Sequence, residues 1–319
     1  MRLRPVLLAL AGCFTLLLTA ASHAEEALAA DTTAAAPLTA PAAPATEAPL
    51  PAAAGASVPD EAAADTPRLK VVDPSRLGYA FEHPRVLAQQ QLFGIAHATA
   101  QLAALCEVAV EDDDVREAAR DAYAAWLERN AAPVHEATAS LARYYFGGNA
   151  HLAGSDDLAA ALRLPLRLTL GDAELAAACA TLPQALAGTR YDLAANLERA
   201  RTFTLAEAAE TLSAAVDVCR PALLDEARHD LDAAYTRWQE RHHDAAREAL
   251  AALGADLAAE APASDGETPP PEDALAPWRS EIQRRAKQYT RQPTFCERLA
   301  SQVDSPRFDL SQLFADHPL

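Results

Sequence analysis

Cys179 to Leu193 reads CATLPQALAGTRYDL and Cys296 to Leu310 reads CERLASQVDSPRFDL, so both stretches fit C-x2-L-x7-R-[YF]-D-L. Upstream of each lies a second shared pattern, Y-x-x-W-x-E-R, at Tyr123–Arg129 and again at Tyr235–Arg241. A further Cys precedes each: Cys106 stands 17 residues before Tyr123, and Cys219 stands 16 before Tyr235. The offset between copies is 113 at the first Cys, 112 at Trp and 117 at the second Cys, so the differences are small enough to fall in loops. One match of this kind is weak. Three landmarks in one order, built on residues as scarce as Trp (3) and Cys (5), point to an internal repeat. Each copy then has about 110 to 120 residues, a common domain size.

The repeat also predicts the disulfides. Four cysteines downstream of Cys13 permit three pairings. Each half holds one early and one late Cys, 73 residues apart in the first and 77 in the second. A duplicated unit carries its own bridge twice, which gives Cys106–Cys179 and Cys219–Cys296.

Bridges need an oxidising compartment, and the N-terminus predicts one. Arg2 and Arg4 precede an uncharged apolar run from Pro5 to Ala20, and Ser22-His23-Ala24 is a small-x-small cleavage site. The run is short for a membrane span. Leu10-Ala11-Gly12-Cys13 also fits a lipobox, which makes a Cys13-anchored lipoprotein the alternative, although the apolar run continues past Cys13. The chain has 25 Arg against 2 Lys and much Ala, a bias that suits a GC-rich bacterial genome. The expected location is therefore the periplasm of a Gram-negative bacterium, where disulfides persist.

Residues 25–67 hold seven Pro, seven acids and no base, with little that is large and apolar. Such a segment cannot bury enough surface to offset chain entropy, and the expectation is a disordered Ala/Pro-rich acidic linker. Beyond it, apolar residues recur at helical spacing and no run alternates as a strand would. The predicted fold is all-α: signal peptide 1–24, linker 25–67, then two tandem, internally duplicated, disulfide-stapled helical bundles at 68–200 and 201–319. Thr204-Leu205-Ala206-Glu207 reads as the capping box that opens the second half. Pro221 reads as the first turn of the next helix, and the acidic Pro-rich stretch 254–273 as a loop.

The repeated residues have structural explanations. Tyr123 with Trp126, and Tyr235 with Trp238, lie on one helix face and suit a core. Asp192 and Asp309 suit helix caps, Asp309 with help from Gln312 and a Phe308–Leu313 staple. Glu111 to Asp114 lack the spacing of a calcium loop and suit a helix N-terminus. Chemistry is harder to find. Nucleophile-elbow, zincin, P-loop and dinucleotide motifs are missing from the sequence. His242 and His243 are adjacent and point about 100° apart on a helix. His97 and His135 remain the pair that could meet across helices, near Glu136. The reading assigns no catalytic residue, no metal and no cofactor.

Removing Arg2 and Arg4 leaves 25 basic against 45 acidic residues, a net charge of −20. That surface disfavours nucleic acid and anionic lipid and favours a basic protein partner. The expected function is a non-catalytic exported protein that binds a partner, as an adaptor, inhibitor or immunity-type protein does. The alternative is a ligand- or metal-binding protein or an enzyme with a site between the two helical repeats. The Arg-rich stretch WRSEIQRRAKQYTRQ is a candidate contact patch, with the acidic loop beside it as a shield.

Overall fold

The computed structural model describes residues 69–261, 268–289 and 293–315. The expected signal, Cys13 and the linker lie outside the described residues. Residues 69–170 and 175 onward belong to one compact unit.

Every regular element among the described residues is helical. In chain order these are α1 (Pro84–Ala109), α2 (Asp113–Arg129), α3 (Ala131–Phe146), α4 (Ser155–Leu162), α5 (Asp172–Ala187), α6 (Leu193–Cys219), α7 (Asp225–Glu260), α8 (Pro271–Tyr289) and α9 (Pro293–Val303). Two disulfides cross-link them, Cys106–Cys179 between α1 and α5 and Cys219–Cys296 between α6 and α9.

Local chemistry sets most boundaries. Pro84 opens α1 at the position where a missing N–H costs nothing. Asp112 caps α2 by accepting from the amides of Asp114 (3.0 Å) and Val115 (3.2 Å), with Asp113 and Asp114 adding negative charge at the positive end. Only Asn130 separates α2 from α3. Gly147 ends α3 at φ +55°, and a Cβ there would sit 2.9 Å from Val72 Cγ1, so no other residue fits without strain. Gly154 is the cap position of α4, and its N–H donates to Asp157 Oδ2 at 3.2 Å.

Three expectations are corrected. No helix begins at Thr204. α6 runs unbroken from Leu193 to Cys219, and the Thr204 hydroxyl instead donates to the Ala200 carbonyl at 2.8 Å. The reason is that Asp192 already caps the helix, its side chain accepting from Ala195 N at 3.0 Å. Pro221 belongs to a short 3-10 turn, Arg220–Ala222, and α7 opens at Asp225. Gly254 does not start a loop. It lies within the 36-residue α7, where a Cβ would meet Leu275 Cδ1 at 3.0 Å and the Pro271 carbonyl at 3.1 Å. The glycine allows α8 to approach closely, so the connection shrinks to the stretch after Glu260.

α1 packs against α2, α3 and α6, whereas α6 packs against α7 and α8, and α7 against α8 and α9. The helices that carry Cys106 and Cys219, α1 and α6, therefore touch each other, and α6 packs on helices before and after it. One core holds Leu92, Cys106, Trp126, Cys179, Leu186 and Leu193. The corresponding core of the second half holds Leu212, Cys219, Leu231, Trp238, Cys296 and Leu310. α1 is long and apolar enough to cross a membrane by composition. Its buried glutamines are nonetheless tied into the fold. Gln90 Nε2 donates to Tyr145 Oη at 2.7 Å and Gly78 O at 3.1 Å, its Oε1 accepts from Ala80 N, and Gln89 Oε1 accepts from Ser140.

Candidate functional site

The repeated sequence landmarks meet in space twice, with the same Trp–carbonyl bond each time. Trp126 is fully buried, stacks on half-buried Tyr123 (ring centroids 6.0 Å) and donates its indole N–H to the Tyr191 carbonyl at 2.7 Å. Trp238 is also buried, stacks on Tyr235 (5.9 Å) and donates to the Phe308 carbonyl at 2.6 Å. Each acceptor is the aromatic of R-[YF]-D-L, so the indole of one motif anchors the backbone of the other. The Arg that closes Y-x-x-W-x-E-R reaches the end of the helix bearing the second Cys. Arg129 Nη2 donates to Leu186 O at 3.1 Å, and Arg241 Nη2 to Asp304 Oδ1 at 2.5 Å. Disulfide, indole and arginine together fix the loop that follows the second Cys of each half.

Asp192 is a true helix cap, as above. Asp309 caps a turn instead of a helix: Ser311 N and Ser311 Oγ donate to its Oδ1 at 3.0 and 2.6 Å, and residues 310–314 are turns. Those bonds, with His242 and Arg241 nearby, hold its carboxyl below the usual range against the opposing effect of burial. Phe308 and Leu313 do share one cluster.

The turn forms one wall of a cavity of about 300 Å³ lined by Arg85, Leu197, Glu198, Arg201, Leu310, Ser311, Phe314 and Ala315. Arg85 comes from α1, the next three residues from α6, and the rest from the C-terminal turn, so both halves contribute. Arg85 donates to the Phe314 carbonyl and pairs with Glu136, both at 3.1 Å. Arg201 lies 3.5 Å from Glu198. The lining offers two guanidiniums beside Leu197, Leu310 and Phe314, but their charge is largely met by the protein's own oxygens. It contains no nucleophile–base pair.

The histidines do not converge. His97 stacks on Phe93 and sits 3.3 Å from the Pro165 carbonyl, while Gln101 Nε2 lies 2.7 Å from its Nε2. His135, His229 and His243 are exposed. Among the described residues no three His, Cys, Asp or Glu side chains group as a metal site would require. The Arg-rich helix α8 is engaged internally: Arg279 pairs with Glu210 (3.4 Å) and Glu272 (2.7 Å), and Arg285 with Glu207 (3.4 Å). Burial pushes the Glu207 carboxyl up despite Arg285. Arg279 and Arg285 therefore tie α8 to α6, whereas exposed Arg284 pairs with Glu281 within α8 (2.6 Å), and of the acids around 254–273 Glu272 takes part in that bonding.

Sequence reasoning missed Asn130. It is buried, donates from Nδ2 to the Trp126 carbonyl at 2.9 Å and accepts at Oδ1 from Leu193 N at 2.8 Å. Its place four residues after Trp126 was the available signal, because an Asn between two helical runs suits a local backbone bond. No protein-family model matches the chain, and neither a curated protein nor a solved structure is significantly similar to it.

Proposed function

We propose that this chain is an exported, non-catalytic helical protein that works by binding a basic protein partner, and that its two halves descend from one duplicated unit. The observation that carries the reading is how the repeated residues are used. Cys, Tyr, Trp, Arg and Asp of both motifs close the fold on itself, and none is left poised as acid, base or nucleophile in a cleft. Residues 68–319 carry 25 basic against 38 acidic residues, a net charge of −13, and so offer acidic surfaces that steer a cationic partner. The matched Trp–carbonyl bonds and within-half bridges support the duplication. Disulfides fit an oxidising compartment, and the N-terminal pattern makes the periplasm the one proposed. The buried, bonded glutamines of α1 favour a core helix over a membrane span.

The test is affinity capture of the oxidised, mature protein from periplasmic extract at low and at high salt. The reading expects a stoichiometric basic protein that salt releases, because charge steering is screened. A stoichiometric small molecule or metal without any protein would reverse it.

A second reading, a small-ligand site between the halves, is favoured by the cavity that Arg85 and Arg201 line. It predicts an anionic ligand whose binding is lost in Arg201→Ala.

A further inference from the structure

The cavity beside the C-terminal turn holds charges of both signs. Glu198 lines it next to Arg201 on the same helix, α6, and Glu198 Oε1 lies 3.5 Å from Arg201 Nη1. Both side chains are more than half exposed, so water solvates them and the pair itself contributes little stability. Arg85 is used differently. It donates to the Phe314 carbonyl and to Glu136, which braces the wall that the turn forms. Around the Glu198–Arg201 pair stand half-buried Leu197 and Phe314 and buried Leu310.

A simple anion fits this lining poorly. It gains Arg201 but faces the Glu198 carboxylate, which loses its partner, in a fold whose residues 68–319 carry a net charge of −13. A simple cation meets the mirror problem at Arg201. A molecule with both charges leaves neither side chain unpaired, because its carboxylate accepts from Arg201 while its ammonium donates to Glu198. One ion pair is then replaced by two. An α-amino acid carries the two groups on a single carbon, and the close approach of Glu198 to Arg201 calls for that short spacing. It is neutral overall, so the acidic surface does not repel it. A cavity of about 300 Å³ lies at the small end of ligand pockets, the range of a single small molecule.

Resting on the second reading above, a small-ligand site between the halves, we propose that this cavity binds a free apolar α-amino acid. The carboxylate sits on Arg201, the ammonium on Glu198, and the side chain against Leu197, Leu310 and Phe314. Burial of that side chain supplies affinity, and the two charges fix the orientation.

The experiment is isothermal titration calorimetry on the full mature, oxidised protein at neutral pH. The probes are L-leucine and L-phenylalanine, their deaminated acids isocaproate and hydrocinnamate, their decarboxylated amines isoamylamine and phenethylamine, and glycine. At least one of the two apolar amino acids is expected to bind with a Kd of about 1 mM or tighter. Its acid, its amine and glycine are each expected to bind at least about tenfold more weakly, since each lacks one charge-assisted bond or the buried side chain. Arg201→Ala and Glu198→Gln, both at exposed positions, are expected to lose the amino acid. If the acid binds as tightly as its amino acid, or Glu198→Gln keeps full binding, the zwitterion is overturned and the anionic site stands. If glycine binds as tightly, the apolar contact is overturned. If no probe binds, or only the amines do, the zwitterion and the anionic site fall together. The wild-type comparison of acid, amine and amino acid decides this even if a variant misfolds.

Discussion

Replacing Trp238 by Phe keeps an aromatic ring in the core and removes the indole donor that holds the Phe308 carbonyl, at 2.6 Å in a buried setting. The abandoned carbonyl and the lost bond together cost about 1–3 kcal/mol. The smaller ring leaves a residual cavity of roughly 40 Å³, worth about 1 kcal/mol at ~24 cal/mol per Å³. The expected loss is therefore about 2–4 kcal/mol, a large share of the ~5–15 kcal/mol of a typical domain. Trp126→Phe removes the matching bond to Tyr191 O (2.7 Å) from a fully buried indole, so it should cost the same within about 1 kcal/mol. The assay is urea unfolding of the oxidised protein followed by far-UV circular dichroism, with the midpoint and slope compared for wild type and both variants. If either variant loses less than about 0.5 kcal/mol, the indole–carbonyl bond is not the staple described here. If the two losses differ by several-fold, the halves are not built alike.

Removing one bridge by Cys106→Ser with Cys179→Ser opens a 73-residue separation, and Cys219→Ser with Cys296→Ser one of 77. Chain entropy makes each worth about 4 kcal/mol, so thermal unfolding of the two double variants should fall together. Gly147→Ala, at φ +55° and against Val72 Cγ1, should cost about 1–3 kcal/mol in the same urea assay. Arg241, then Arg237, hold the Asp304 carboxyl below its usual range, so its stabilisation is present above about pH 4 and lost as pH falls through the depressed value. The pair is largely exposed, so Asp304→Asn should cost less than about 1 kcal/mol at pH 7 and nothing in strong acid, as read by denaturant midpoints.

What could be read from the sequence was local or repeated. Helical periodicity gave the fold class, an aspartate placed before an apolar run announced the cap at Asp192, and the acids from Glu111 to Asp114 marked the start of a helix that Asp112 caps. Similar spacing of Cys in the two halves gave the same pairing that the geometry has. What could not be read was set by distant partners. Thr204 resembles a cap, but Asp192 had already opened that helix, so the hydroxyl turned back to Ala200 O. Gly254 resembles a helix stop until α8 lies against it. Sequence does not show that Arg285 and Arg279 reach α6, because Glu207 and Glu210 come 78 and 69 residues earlier. The cavity joins Arg85 to Phe314 across 229 residues, a contact no local pattern encodes.

The account rests on an exported chain whose two halves each carry their own bridge. Mass spectrometry of the native protein from its cell, digested without reduction, tests this most directly. The account predicts an N-terminus at Glu25, no free thiol, and linked peptides joining Cys106 to Cys179 and Cys219 to Cys296. Reduced cysteines in the folded protein, or a peptide joining Cys106 to Cys219, would contradict it.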